Sequence, residues 1–263
     1  MIDYLITGGE GFIGRNLKAH LRKVKKSFRT IDKNPKHLPE CISRDITEEC
    51  PYISIPYIKA KTLIHLAAFT NVRMSIENPL QSFLENCCGT INCLELAKEV
   101  GATSFVFASS VGAPQACSPY SASKLSGEAI SRAYRKSYGL KTSILRLSNV
   151  YGPYSAHKES VIPKFIKSIL KKEPLQVFGD GKQTRDFIYV DDVISTITSL
   201  KTESSLTVAS GCSHSILSVI DRLSAISKRF INFTPEVYFL PPTKGEVLKI
   251  NIKSDINAKV NFY

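Results

Sequence analysis

Residues Tyr4 to Leu21 constrain the fold more than any other stretch. Tyr4-Leu5-Ile6-Thr7 is a short apolar run that reads as a buried strand, and it leads into Gly8-Gly9-Glu10-Gly11-Phe12-Ile13-Gly14. A helical pattern follows through Leu17 and Leu21. A strand, a glycine-rich turn and a helix in this order predict a parallel sheet whose first crossover can hold a dinucleotide. Gly8 permits the tight turn, Gly11 lets backbone approach a pyrophosphate, and Gly14 lets the helix pack on the strand. The helix start offers N–H groups and the positive end of its dipole to the phosphates. A second strand, Ser27 to Ile31, ends at Asp32. A carboxylate there can take both hydroxyls of a ribose and repels a 2′-phosphate. That favours NAD over NADP, while the adjacent Lys33 works in the other direction.

Downstream the same alternation recurs. Asp45-Ile46 follows a third predicted strand, and Thr62 to Ala68 is a continuous apolar run, the pattern of a central parallel strand. His65 within it is read as a packed core histidine rather than a catalyst. Ala67 and Ala68 are small enough to admit a flat ligand. A long helix is predicted from near Pro79 to Val100, carrying Asn86, then a strand from Thr103 to Ala108 that ends in Ser109-Ser110. The strand Thr142 to Leu147 precedes Asn149. Strands alternating with helices give an α/β fold, a Rossmann-type doubly wound parallel sheet. Ligands in such sheets sit beyond the carboxyl ends of the strands. Gly8, Asp32, Ala68, Ser110 and Asn149 all fall at such ends. After Tyr151-Gly152-Pro153 a helix (160–172), a second helix (216–227) and short strands near Val237 and Leu248 form a smaller α/β lobe. The expected division is 1–155 with 182–202 for the sheet domain, and 156–181 with 203–263 for the lobe.

One further stretch carries chemistry. Ser118-Pro119-Tyr120-Ser121-Ala122-Ser123-Lys124 places a helix N-cap, a proline at the first helical position, and a tyrosine and lysine four apart on one face. An ammonium beside a phenol predicts a tyrosine pKa below its reference near ~10, and so a general base. Alone, Y-x-x-x-K recurs by chance in many helices. A formal net charge of +12 reads as a solvated basic surface, with attraction of anionic small molecules as the sharper alternative. Nucleic acid is not expected, since no basic ribbon interleaved with aromatics accompanies the charge. Seven cysteines without a C-x-x-C pair predict reduced thiols and no metal site. No apolar run approaches the ~20 residues of a membrane span, and no signal peptide is recognised at the N-terminus, so a cytoplasmic location is expected.

Taken together, these motifs resemble the extended short-chain dehydrogenase/reductase family, in its NAD-dependent epimerase/dehydratase branch acting on nucleotide sugars. The resemblance rests on Thr7 to Gly14, Asp32, Asp45-Ile46, His65 to Ala68 and Asn86 with Gly89-Thr90. It continues through Ser109-Ser110, Tyr120 with Lys124, Arg146 to Pro153, and Phe178 to Asp192. It implies NAD held by Gly8, Gly11, Phe12 and Ile13 at the pyrophosphate, by Asp32 with Lys33 at the adenosine ribose, and by Asp45 and Ile46 at the adenine. Leu66, Ala67, Ala68 and Asn86 would lie along the cofactor, and Lys124 would hold the nicotinamide ribose. Ser110 would bond the reacting sugar hydroxyl with Tyr120 as the base. Asn149, Val161, Arg185 and Lys244 would hold the nucleotide sugar, although Arg185 could instead pair with Asp186 or Asp192. The resemblance also implies a homodimer through the helices of Asn86 and Tyr120.

The implied reaction removes hydride from the sugar C4 to give a 4-keto sugar, whose fate differs between branch members. Dehydratases usually follow the catalytic Ser or Thr with Asp-Glu. Here Val111-Gly112 follows Ser110, so a 4-epimerase on a UDP-sugar is the expected member. A dehydratase or 4-keto reductase, or a non-catalytic nucleotide- or RNA-binding relative, are the alternatives. Three departures from the family pattern stand out: only ten positions separate Ser110 and Tyr120, Thr243-Lys244 occupies a place where relatives often carry arginine, and the lobe stops C-terminally short at Phe262-Tyr263.

Overall fold

The computed structural model describes residues 1–263 except 36–38, 49–54, 56, 202, 243–251 and 259–263. Lys244, Cys50, the strand expected near Leu248 and the final residues lie outside the described part. The chain divides into two compact units, Met1–Leu147 with Asp191–Val208, and Ser148–Val190 with Ala209–Tyr263.

The first unit is built on a seven-stranded parallel sheet. Its strands are β1 (Ile2–Thr7), β2 (Phe28–Asp32), β3 (Cys41–Ser43), β4 (Ala60–His65), β5 (Ser104–Ser110), β6 (Lys141–Leu147) and a last strand, Ser205–Val208. In space they run from Ser205–Val208 through β6, β5, β4 and β1 to β2 and β3. The order reverses between β1 and β4, which is where doubly wound sheets bind ligands. Burial explains the apolar runs: Leu5 and Ile6 of β1 point to opposite faces and both are inaccessible, as are Leu63 and Ile64 of β4. The apolar run expected to stay extended to Ala68 leaves the sheet after His65. The Leu66 N–H still donates to the Thr7 carbonyl (3.1 Å), and the chain then turns across Gly8.

Helices α1 (Phe12–Lys23), α2 (Val72–Glu77), α3 (Pro79–Phe83), α4 (Gly89–Glu99) and α5 (Pro119–Tyr138) belong to this unit. The single long helix expected from Pro79 to Val100 is interrupted by a π-helical turn, Leu84–Cys88, between α3 and α4. Such insertions are frequent at functional sites. Helix α5 begins as its sequence predicts. Ser118 Oγ accepts from the Ser121 N–H (3.2 Å), Ser121 Oγ accepts from the Ser118 N–H (2.9 Å), and Pro119 takes the first helical position. Gly127 lets α5 lie on β5, because a Cβ there would stand 2.4 Å from the Phe107 ring.

The second unit has a three-stranded sheet in which Thr184–Tyr189 lies between Asn149–Tyr151, parallel to it, and Ser213–Ser215, antiparallel. Strands Leu175–Phe178 and Val237–Leu240 pair in parallel. Helices Val161–Leu170 and Ile216–Ile231 close a core of Phe165, Leu175, Val177, Phe187 and Val219.

His65 is confirmed as a core residue. It is 1 % exposed, its Nδ1 lies 2.7 Å from Thr7 Oγ1, its Nε2 lies 3.1 Å from Thr90 Oγ1, and its ring stands near Phe105 and Phe107. Burial, with the Lys124 ammonium adding to it, pulls the imidazole down to about 3. The unfolded chain therefore binds a proton that the folded one refuses below the ordinary histidine value near ~6.5. Stability from neutral His65 is complete above that pH and is lost as the pH falls toward 3. We expect the unfolding free energy from urea titration to fall by up to ~1.4 kcal/mol per pH unit between pH 6 and 4. His65→Gln should be less stable at neutral pH but should lack that part of the slope. Equal slopes in both proteins would contradict the assignment.

Candidate active site

The β1–α1 turn is a backbone structure with no room for side chains. Gly8 has φ +72°, and a Cβ on it would meet the Ala67 nitrogen at 2.6 Å. A Cβ on Gly14 would meet the Gly8 carbonyl oxygen at 2.3 Å. The Gly8 N–H donates to the Ile31 carbonyl (2.8 Å) and the Gly11 N–H to the Gly8 carbonyl (3.1 Å), which ties the turn to β2 and to itself. Gly11 is the N-cap of α1 and brings no side chain over the first-turn N–H groups. A pyrophosphate can therefore approach the helix start directly. Asp32 ends β2, and its carboxylate accepts from the Glu10 N–H (2.9 Å) and the Asn34 N–H (3.0 Å). An ionised carboxylate has about four acceptor positions, so ribose hydroxyls can still be received. Glu10 itself forms a buried ion pair with Lys18. These features fit a dinucleotide.

The neighbouring expected residues converge on the same end of the sheet. Asp45 accepts from the N–H and hydroxyl of Thr47 (2.9 and 2.8 Å). Ile46 packs on α4 at Gly89, where a Cβ would come within 2.7 Å of its side chain. Phe12 is buried and Ile13 half-buried in the first turn of α1, and Leu66, Ala67 and Ala68 are half-buried beyond β4. Lys33 Nζ reaches Glu85 Oε1 at 3.0 Å. Asn86 is 1 % exposed, and its amide is engaged with protein. It accepts from the Phe69 N–H (2.8 Å) and donates to the Phe69 carbonyl (3.0 Å) and to Ser123 Oγ (2.8 Å).

Ser110 ends β5 and Tyr120 opens α5, with the Ser110 side chain near enough to the phenol to favour its charged form. The first turn of α5 is anchored from outside by Ser75 and braced within itself by Ser123. The Tyr120 N–H donates to Ser75 Oγ (3.2 Å), and Ser123 Oγ donates to the Tyr120 carbonyl (2.8 Å). Lys124 is 4 % exposed, donates from Nζ to the Ala108 carbonyl (2.9 Å) and lies over the Phe107 ring at 5.0 Å. The electrostatic expectation is reversed here. Burial pushes the Tyr120 phenol up, and the Ser110 side chain offsets only part of that. Helical spacing set Lys124 on the right face of α5, but how deeply the phenol is buried is a tertiary property. One turn further, Glu128 is inaccessible. It takes Arg146 through Nε (2.8 Å) and Nη2 (2.6 Å), Ser109 Oγ (2.7 Å) and Arg132 Nη1 (3.3 Å). Burial opposes its charge, but these partners outweigh it and hold the carboxyl below the ordinary range. That network locks α5 to β5 and β6. The sequence reading assigned no role to Glu128, Ser123 or Glu85: Ser123 lies inside the Ser118–Lys124 stretch and Glu85 beside Asn86, but neither spacing pointed to a contact, and Glu128 adjoins no motif residue.

In the second unit, Asn149 Nδ2 donates to the Asp186 carbonyl (2.9 Å), and Arg185 Nη1 donates to the Thr184 carbonyl (2.8 Å). The Asp186 carboxylate is fully buried and receives Ser148 Oγ (2.7 Å), the Ser210 N–H (2.9 Å) and Ser210 Oγ (2.9 Å). Val161 is half-buried at the start of its helix.

The sequence profile described as the NAD dependent epimerase/dehydratase family matches residues 4–206. A Methanocaldococcus jannaschii protein provisionally named UDP-glucose 4-epimerase is 34 % identical over 94 % of this chain and 88 % of its own. The UDP-N-acetylglucosamine 4-epimerase of Methanobrevibacter ruminantium, solved with UDP-N-acetylmuramic acid, superposes with a TM-score of 0.83 at 28 % identity. That match covers 97 % of this chain and 90 % of the other. The Thermus thermophilus UDP-glucose 4-epimerase, solved with NAD, gives a TM-score of 0.82 at 28 % identity, over 96 % and 91 %.

Proposed function

The chain belongs to the NAD-dependent epimerase/dehydratase family, and on that premise we propose that it is an isomerase inverting C4 of a nucleotide sugar, with UDP as the nucleotide. The observation that carries this is the Ser110–Tyr120 pair set between β5 and α5, at the same end of the sheet as the glycine turn. Bound NAD would supply a reversible hydride acceptor for the sugar C4. The first unit is the NAD domain, with Gly8, Gly11, Phe12 and Ile13 at the pyrophosphate and Asp32 at the ribose. Asp45 and Ile46 flank the adenine, and Lys124 holds the second ribose. Tyr120 would take the proton from the C4 hydroxyl as hydride leaves C4, and would return a proton to the C4 oxygen when hydride comes back to the opposite face of C4. Ser110 holds that hydroxyl. With the phenol raised by burial, proton removal by Tyr120 depends on the charges that arrive with the ligands. The second unit holds the nucleotide sugar, with Asn149, Val161, Arg185 and Lys244 as its contacts. A guanidinium such as that of Arg185 can fork onto a diphosphate.

The dehydratase alternative lacks a carboxylate where that chemistry needs one. Val111 spends its N–H on the Leu147 carbonyl (3.0 Å), and Gly112 donates to Ser110 Oγ (3.2 Å). Six free thiols among the described residues fit the reducing cytoplasm, where nucleotide sugars and NAD meet. No helix among the described residues is long and apolar enough to cross a membrane. The reading includes a homodimer, supported by exposed Leu80, Phe83, Leu84 and Ile91 along α3, the π-turn and α4.

Tyr120→Phe should lower kcat by ~10²-fold or more while NAD affinity, measured by calorimetry, changes less than about threefold. Retained turnover would remove Tyr120 from the chemistry, and turnover absent from both proteins with nucleotide still bound would favour a binding protein. Leu80→Asp combined with Phe83→Asp should shift the sedimenting mass from dimer to monomer with the thermal midpoint of the monomer still cooperative. An unchanged mass would place the dimer elsewhere.

A further inference from the structure

Lys33 is a residue whose chemistry argues against NAD. It directly follows Asp32, at the place where a cation beside the adenosine ribose would welcome a 2′-phosphate. In the structure its ammonium is committed to Glu85, 3.0 Å away, and Glu85 also accepts from Gln81 Nε2 at 2.7 Å. Glu85 is the less exposed partner of the pair, at 15 % against 46 % for Lys33. The π-helical turn Leu84–Cys88 presents it, and the next residue, Asn86, pins that turn to Phe69 and Ser123. The carboxylate is thus the fixed member and the lysine stem the one that moves to it.

We propose that Glu85 is a cofactor-specificity residue, acting by holding Lys33 away from the 2′-position and restoring the negative field that Asp32 sets there. The inference rests on the NAD reading above. Its logic is electrostatic. A 2′-phosphate brings about two negative charges, and an ion pair already satisfied offers them no net positive partner. Burial opposes the Asp45 charge, but the Thr47 N–H and hydroxyl, with Lys33 adding to them, hold that carboxyl below its ordinary range. Lys33 therefore acts on Asp45 and Glu85 together, and Glu85 is the one it contacts. Because the pair is half-exposed, its effect is one of discrimination rather than of stability.

The test is direct binding of NAD and NADP by calorimetry to wild type, Glu85→Gln, Lys33→Ala and the double variant, with thermal melting as the folding control. Glu85→Gln should tighten NADP about threefold or more while NAD changes less than twofold, and Lys33→Ala in the same chain should abolish the gain. An unchanged NADP-to-NAD ratio in Glu85→Gln, with NAD still bound, would overturn the proposal and leave the cofactor reading intact. A gain that survives in the double variant would also overturn it, since Glu85 would then act without Lys33. Wild type binding neither nucleotide would remove the cofactor reading itself and the proposal with it.

Discussion

The structure depends on one backbone-to-backbone approach, that of Gly8 to Ala67. At the reversal between β1 and β4, two strand ends leave the sheet in the space of one residue width. Only a residue without a Cβ, with φ +72°, can stand on the β1 side. The consequence is a turn made of main chain, with the start of α1 directly after it. Gly14 extends the same constraint to the helix, whose turn folds back to within a Cβ's width of the Gly8 carbonyl. That turn is what the proposed site offers a pyrophosphate, and the positions of Asp32, Asp45 and Ala67 follow from the strands on either side of it.

The residues proposed to react stand on a different support. Helix α5 is fixed at its start by Ser75 and by the Asn86 amide on Ser123, and one turn along by the buried Glu128–Arg146 pair. A charge pair so deep contributes less to net stability than its Coulomb attraction implies, because both charges give up water. What it fixes is geometry: the phenol of Tyr120 and the amine of Lys124 keep their places relative to β5. Asn86 joins the two supports, since its amide bonds the chain beyond β4 through Phe69 and helix α5 through Ser123.

Much of this is legible in the sequence, and the boundary of legibility has physical causes. Local rules sufficed where the interaction is local: the glycine turn, the acid ending β2, and the Ser118-Pro119 helix start. Apolar runs located the central strands, although the β4 run continues past the sheet because Leu66 and the alanines after it are apolar for a second reason, contact with the turn. The π-turn left no trace, because it preserves helical composition and changes only which carbonyl each N–H finds. The tyrosine went wrong in direction for the opposite reason. Helical spacing set Lys124 one turn away, but burial decides the sign, and what opposes it is Ser110 rather than Lys124. The pairing of Lys33 with Glu85 spans 52 positions and belongs to no motif.

The central claim is inversion at C4 with no net redox change. The most direct measurement is proton NMR of the protein, loaded with NAD, against UDP-, dTDP-, GDP- and CDP-sugars. The account predicts growth of the C4 epimer of a UDP-sugar toward an equilibrium mixture, without accumulation of NADH. A 4-keto-6-deoxy product, or NADH formed in step with product, would contradict it.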